Sequence, residues 1–115
     1  MEARLLATTT RLTLRVDGRS NVVELADGES FRLGRDPTSD FVLTRGFASR
    51  HHARITCRRQ SLFLVDESSN GSFVKLEDET VAFLHRRSKR LWGKGWMSFG
   101  EPLTKASAVQ FEFSE

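Results

Sequence analysis

An alternation of apolar and polar residues with a period of two runs through almost the whole sequence and restricts the chain to β-structure. In "RLTLRV", Leu12, Leu14 and Val16 share one face of an extended strand, and Arg and Thr occupy the other. The same alternation recurs in "HARITCR" and "VQFEF". Other segments are short, rich in β-branched or aromatic residues and bounded by turn residues: "NVVEL", "SFRLG", "DFVL", "SLFLVD", "SFVKL", "TVAFL" and "GWMSFG". The sequence therefore predicts ten or eleven short strands.

Turn-forming residues separate these segments at close spacing. Gly, Asp, Asn or Pro occurs in "VDGRSN", "GRDPTSD", "DESSNG" and most of the other breaks. Many short strands without an amphipathic helical segment predict an all-β, antiparallel sandwich or barrel. The length of 115 residues fits one domain. We expect residues 1–10 to be a flexible leader or linker stub and residues 11–115 to form the domain.

The composition indicates the cellular compartment of the protein and the charge of its partner. A single cysteine, Cys57, allows no intramolecular disulfide and fits a reducing compartment. The N-terminus lacks the apolar core of a signal peptide, and no apolar run approaches the roughly 18 residues of a membrane helix. We therefore expect an intracellular, cytoplasmic protein that does not enter membranes. The net charge of +3 and the pI of about 9.6 favour an anionic partner.

Three turns carry side chains suited to an anion. Gly34 permits a tight turn directly before the first of them, and the second and third turns add hydroxyls, a guanidinium and a carboxamide. These candidate contacts are Arg35, Ser49, Arg50, Ser69 and Asn70. The loops at one end of a sandwich gather into a common surface, so these side chains can meet. No carboxylate is expected at the contact positions.

Metal and catalytic sites are weaker interpretations of the same residues. His51 and His52 would point to opposite faces of a strand, and their spacing to Cys57 matches no zinc pattern. "DESSNGSFVKLED" resembles a calcium loop in its first half, but strands flank it where helices would be required. Ser49, His52 and Asp66 would form a catalytic triad only if the fold brought them together. We expect no metal, no cofactor and no enzymatic activity.

Taken together and in this order, the three turns resemble the forkhead-associated (FHA) domain. The matching motifs are "GR" at 34–35, "SRHH" at 49–52 and "DESSNGSFV" at 66–74, and the resemblance covers about residues 11–114. It implies an eleven-stranded β-sandwich that binds phosphothreonine peptides through loops at one end. The expected partner is therefore a phosphothreonine-containing protein or peptide, and the expected role is that of one domain in a larger signalling protein.

The resemblance also implies a role for each residue. Arg35 would pair with the phosphate, Ser49 and Ser69 would donate hydroxyl hydrogen bonds to it, and Arg50 would contact the phosphate or the peptide backbone. Asn70 would bind the peptide main chain beside the phosphorylated residue. Gly34, His52 and Gly71 would brace the loops. The sequence departs from the family where Ser72 replaces a common Thr and Lys75 a common Asn.

Two alternative functions stay open at this point. The segment 85–96 combines the basic run "HRRSKR" with Trp92 and Trp96, a combination that can bind nucleic acid. Basic residues in a hairpin more commonly protect a sheet edge, so nucleic acid is the less favoured partner. The domain could also act as a phosphate-independent docking or oligomerisation module.

Overall fold

The apolar residues that alternate in the sequence are buried between the two sheets of a sandwich. The computed structural model describes residues 8–114. In this range, eleven strands follow one another without an intervening helix. They are β1 (Thr9–Val16), β2 (Arg19–Ala26), β3 (Ser30–Gly34), β4 (Phe41–Val42), β5 (Ala53–Arg58), β6 (Ser61–Asp66), β7 (Ser72–Leu76), β8 (Ala82–Leu84), β9 (Ser88–Leu91), β10 (Lys94–Phe99) and β11 (Val109–Phe113). The predicted all-β sandwich of about eleven strands is confirmed.

The strands form one sheet of six and one of five. The six-stranded sheet has the order β2-β1-β11-β10-β7-β8, and the five-stranded sheet has the order β4-β3-β5-β6-β9. Pairing is antiparallel except between β3 and β4, where Leu33 lies opposite Phe41 in a parallel pair. The β3–β4 loop, residues 35–40, connects these two parallel strands.

The core lies between the two sheets and contains the apolar residues of each alternating segment. Leu12, Leu14, Ile55, Leu64 and Phe111 have no exposed surface. Each strand thus contributes its apolar face, and burial of this surface is the main favourable term in folding. Cys57, the one cysteine of the chain, is buried in the same core as a small apolar side chain.

Two boundaries differ from the sequence prediction. Strand β1 begins at Thr9, because Thr9 and Thr10 pair with Ala26 and Leu25 of β2. Most of the expected leader, residues 1–10, lies outside the described residues. Strand β9 overlaps the end of the predicted basic run, where no strand was expected, and it pairs with β6 through Leu91 and Leu62. Among residues 8–114, there is no helix long and apolar enough to cross a membrane.

The strand directions decide which loops share an end of the sandwich. Strand β5 leaves one end at Ala53 and β6 returns to it at Asp66. This end, here called the loop end, carries the connections β3–β4, β4–β5 and β6–β7. The β1–β2 turn and the β10–β11 loop also lie there, since β7 starts opposite the end of β10 and Arg15 of β1 lies opposite Gln110 of β11. The β5–β6 turn at Arg59 lies at the opposite end.

Candidate functional site

Backbone hydrogen bonds hold the β3–β4 loop against the β4–β5 loop. The Arg35 N–H donates to the Ser49 carbonyl over 3.0 Å, and the Asp36 N–H donates to the Arg50 carbonyl over 3.1 Å. Gly34 permits this approach, because a Cβ atom at that position would lie 1.9 Å from the Arg50 carbonyl oxygen. Any side chain at position 34 would therefore push the two loops apart.

The Arg35 guanidinium is fixed at one of its donors and open at the others. Its Nε donates to the Ala48 carbonyl over 2.6 Å. Within residues 8–114, Arg35 makes no ion pair with a carboxylate. The two terminal NH₂ groups keep their donors for another acceptor, in an orientation set by the Ala48 contact. Arg35 is thus a preorganised cation at the loop end.

Arg50 differs from Arg35 because it has an anionic partner inside the protein. Its Nη2 donates to Asp36 Oδ2 over 2.6 Å, and its side chain remains 68% exposed. Hydrogen bonds from the Thr38 hydroxyl, the Thr38 N–H and Arg50 hold the pKa of Asp36 well below its usual range. The expectation that no carboxylate stands at a contact position is therefore wrong at Arg50. The carboxylate leaves the other guanidinium donors of Arg50 available.

His52 lies beneath the loops and is fully buried. Its Nδ1 accepts a hydrogen bond from the Ser49 N–H at 2.9 Å, so its Nε2 carries the proton and donates to the Gly71 carbonyl at 2.9 Å. The ring also makes an edge contact with Phe99. Burial lowers the pKa of His52 more than its bond to Gly71 and the nearby Asp66 raise it, so the ring stays neutral. One imidazole thereby joins the β4–β5 and β6–β7 loops.

Asp66 organises the β6–β7 loop from below. It is 2% exposed and accepts hydrogen bonds from the hydroxyls of Ser68 and Ser72 and from the Arg86 N–H. Burial alone would raise the pKa of Asp66, but the bonds from Ser72, Arg86 and Ser68 lower it overall. The hydrogen bond to Asp66 needs only the Ser72 hydroxyl, so the extra methyl group of a Thr is not required for it.

The exposed tip of the β6–β7 loop contacts the β4–β5 loop directly. The Ser69 N–H donates to Ser49 Oγ over 3.2 Å, and Asn70 Nδ2 donates to the Phe47 carbonyl over 3.3 Å. Gly71 adopts φ = 87°, and a Cβ there would meet the Phe83 ring at 2.4 Å. The positive φ and the tight contact both favour glycine at this position.

All five predicted contact residues therefore lie on the three adjoining loops at one end of the sandwich. Arg35, Ser49 and Arg50 are linked by the bonds between the first two loops, and Ser69 and Asn70 join them from the third. The Ser49 hydroxyl accepts one hydrogen bond and keeps its own proton to donate. Together they present two cations and two hydroxyl donors, with one carboxylate at the side, an arrangement suited to an anion with several oxygens.

Sequence reasoning missed three contributors to this arrangement. Asp36 follows Arg35 directly, and its Thr38 partner two residues later is a common Asx-turn signal that could have indicated it. Ser68 caps the loop by accepting from the Gly71 N–H at 2.7 Å. Arg86 reaches the Ser68 carbonyl from the β8–β9 connection, and no local pattern relates these two positions.

The structure also shows how the residues of the catalytic, metal and nucleic-acid interpretations are arranged. His52 faces the Ser49 backbone N–H and not its hydroxyl, so these two residues are not arranged as a base and a nucleophile. Among residues 8–114, no group of three or more His, Cys, Asp or Glu side chains is placed to hold a metal ion. The segment 85–96 is split: Trp92 lies beside Lys89 and Arg90 at the edge of one sheet, and Trp96 lies on β10 of the other sheet.

Comparison with known proteins agrees with the sequence motifs. The family model of the FHA domain matches residues 31–85, which include all three motif loops. No match was found among curated proteins. Several solved structures have the same fold.

The first of three similar structures is the FHA-1 domain of Mycobacterium tuberculosis Rv1747, with 22% identity and a TM-score of 0.70 over 94% of this chain and 100% of that chain. A second, from work on phosphothreonine-dependent FHA domain interactions, has 24% identity and a TM-score of 0.64 over 94% and 99%. A third is the yeast Dun1 FHA domain in complex with a doubly phosphorylated peptide derived from Rad53, with 20% identity and a TM-score of 0.59 over 93% and 75%.

The motifs, the family match and the fold give the same answer. The match begins in β3 and ends just after β8, and the similar structures extend the likeness to the flanking strands of both sheets. The resemblance to the FHA domain that the sequence motifs predict is therefore confirmed by the family match over residues 31–85 and by the fold.

Proposed function

We propose that this chain is a phosphothreonine-dependent protein-interaction module. The observation that supports it most directly is the open guanidinium of Arg35, which the Ala48 carbonyl orients on loops that also carry Ser49 and Ser69. A phosphate group carries about −1.5 to −2 charges at pH 7 and three acceptor oxygens, which match this donor set. The partner is a phosphorylated protein, and the site acts by binding without chemical change.

The two arginines have different tasks in this proposal. Arg35 supplies the main charge–charge contact, because no carboxylate of the described residues competes for it. Arg50 is held by Asp36 and offers its remaining donors to a phosphate oxygen or to a peptide carbonyl. Asn70 keeps its carboxamide oxygen for a peptide N–H while its nitrogen contacts Phe47. Gly34, His52 and Gly71 hold the three loops in register.

Two of the similar structures support phosphothreonine as the ligand class. One comes from work on phosphothreonine-dependent FHA interactions, and the other contains a phosphorylated peptide. The preference for threonine over serine is part of this proposal. It requires a small apolar niche for the extra methyl group beside the phosphate.

The test is a library of phosphothreonine peptides, each paired with its unphosphorylated form, titrated against the purified domain at one salt concentration. We expect binding of a subset of the phosphorylated members and no measurable binding of their unphosphorylated pairs. Ser49→Ala should weaken this binding without a large change in Tm, since the hydroxyl lies at the surface of the loop. Equal binding of both members of each pair would overturn the proposal in favour of a phosphate-independent docking module.

A further inference from the structure

A second concave surface lies at the loop end, on the outer face of the six-stranded sheet. Its floor is a row of side chains from four adjacent strands, aligned by the register: Arg15 lies opposite Gln110, Gln110 opposite Trp96, and Trp96 opposite Lys75. The cavity has a volume of about 580 Å³. We call this surface the β-face groove.

The walls of the β-face groove come from two loops of the same end. Arg19, the first residue of β2 after the β1–β2 turn, lines one wall, and Lys105 of the β10–β11 loop lines the other. The β10–β11 wall is held by buried Ser107, whose hydroxyl donates to the Pro102 carbonyl over 2.8 Å and accepts from the Thr104 N–H over 2.8 Å. The groove is therefore lined by structured backbone.

The charge of the groove is strongly positive. Arg15, Arg19, Lys75 and Lys105 line it against a single carboxylate, Asp17. Arg15 is paired with Glu112, and Lys75 lies over the Trp96 ring. Within the described part of the chain, Arg19 and Lys105 pair with no carboxylate. A concave surface with two unpaired and two partly engaged cations favours a negatively charged occupant.

Strand β7 and the β10–β11 loop link the groove to the proposed phosphate site. Strand β7 starts at Ser72, directly after the Asn70–Gly71 tip, and Lys75 lies three residues along it. At about 3.3 Å per residue, that is roughly 10 Å, the span of a few extended peptide residues. The Gly100 N–H donates to the Gly71 carbonyl over 2.8 Å, so the β10–β11 loop that walls the groove starts at the phosphate site itself.

We propose that the β-face groove binds an acidic segment of the same phosphorylated partner, with Asp or Glu side chains close in sequence to the phosphothreonine. This inference rests on the proposed function, because the phosphothreonine would anchor the peptide whose acidic segment enters the groove. Arg19 and Lys105 form the principal contacts, and Arg15 and Lys75 contribute from the floor. The domain would thus select partners with two anionic features at a set spacing.

The test compares peptides that share one phosphothreonine core, taken from a binder identified in the library. One has a neutral Gln-rich tail, and two others have about four Asp or Glu residues on the amino or the carboxyl side, enough to span roughly 10 Å. We expect one of the acidic peptides to bind about 3- to 30-fold more tightly than the neutral one at low salt. The advantage should shrink as salt rises, because exposed charges are screened.

Matched variants assign this advantage to the groove. Arg19→Gln/Lys105→Gln should remove most of it and leave affinity for the neutral peptide unchanged. Arg58→Gln/Arg59→Gln removes the same charge at the opposite end of the sandwich and should keep the advantage. Melting temperatures of both variants should match the parent, since all four side chains are exposed. An equal loss in both variants would assign the effect to net charge and overturn the inference.

The remaining outcomes separate the two proposals. Equal affinity for acidic and neutral peptides, with phosphate dependence intact, overturns the groove inference alone. Loss of phosphate dependence overturns the proposed function and the groove inference with it. If acidic tails give no advantage and a single-stranded oligonucleotide binds the parent but not Arg19→Gln/Lys105→Gln, the groove is a nucleic-acid surface and the inference is wrong.

Discussion

The three loops of the candidate site have an exposed side, here called the upper side, and a buried side, here called the lower side. Polar residues have opposite roles on these two sides. Above, Arg35 and Arg50 are exposed, and the donors of Arg35 outnumber their partners in the protein. Below, His52 and Asp66 are buried, and their hydrogen bonds are all made within the protein. The lower side has the character of a satisfied core network, and the upper side that of a surface kept ready for an external acceptor.

This difference implies that stability and binding can be separated by mutation within a few residues. A buried group with all of its partners inside the protein affects the folding free energy when it is removed. An exposed cation affects affinity for an anion and leaves folding nearly unchanged. The neighbours His51 and His52, and the pair Arg35 and Arg58, provide matched tests.

The largest expected effect is on the lower side. His52→Ala should reduce the free energy of unfolding by about 2–4 kcal/mol, because it leaves a cavity and an unpaired Ser49 N–H and removes one of the two hydrogen bonds to the Gly71 carbonyl. In a domain of this size, that corresponds to a fall in Tm of about 10 °C or more. Thermal unfolding measures it. His51→Ala is the control, since the His51 side chain is 72% exposed and its removal should change stability by less than about 0.5 kcal/mol. Similar Tm values for the two variants would contradict the comparison.

The next effect is on the upper side. Arg35→Ala should weaken phosphopeptide binding by roughly 10- to 150-fold, because charge-assisted hydrogen bonds contribute about 1.5–3 kcal/mol. Calorimetric titration with one phosphorylated peptide measures it, and Tm should remain close to that of the parent. Arg58→Ala makes the same charge change at the opposite end and should leave the dissociation constant within about twofold. An unchanged dissociation constant for Arg35→Ala would remove this residue from the proposed site.

A smaller effect is the pH dependence of folding stability, which involves His52 on the lower side. Burial lowers the pKa of His52 in the folded protein, so the unfolded chain takes up a proton first as pH falls. Stability should therefore be complete above about pH 6.5, the unfolded value, and should decline below it by at most about 1.4 kcal/mol per pH unit. Chemical denaturation between pH 7.5 and 5 measures the slope. His52→Gln should unfold more readily at neutral pH but show a shallower slope, and an identical slope would show that another group is responsible.

The smallest effect concerns the methyl group that distinguishes phosphothreonine from phosphoserine. One buried methyl contributes about 0.8 kcal/mol, which is roughly fourfold in affinity. The restricted rotamers of a β-branched side chain should add to this preference. Two peptides that differ only at this residue, titrated at the same salt concentration, measure it. Equal affinities would leave a generic phosphate pocket on the upper side.

Much of the fold could be predicted because, in most strands, the local sequence pattern indicates which residues are buried. Strands β3, β6, β7 and β11 match the predicted segments residue by residue, since each is a short segment rich in apolar residues between clear turns. Strand β9 was missed because its four residues, "SKRL", contain one buried apolar side chain, Leu91. Its strand conformation depends on pairing with β6, which lies more than twenty residues earlier in the chain.

The residues of the candidate site could be proposed from the sequence, but most of the contacts between them could not. Its five polar residues stand in short motifs, and the resemblance to the FHA family implied their roles. The Arg50–Asp36 pair was not predicted, because the two residues are fourteen positions apart on different loops. Likewise, Arg86 reaches the β6–β7 loop from a connection that no motif relates to it.

The sequence by itself determined that this chain forms a β-sandwich and predicted a candidate anion site in its turns, because a period of two and turn chemistry are local properties of neighbouring residues. Only the tertiary structure decided which side chains share a surface. The row Arg15–Gln110–Trp96–Lys75 joins four strands through their hydrogen-bond registers, and Trp96 is thereby separated from Trp92 although four positions divide them. Register and strand order arise from the packing of the two sheets as a whole, and a local pattern does not encode them.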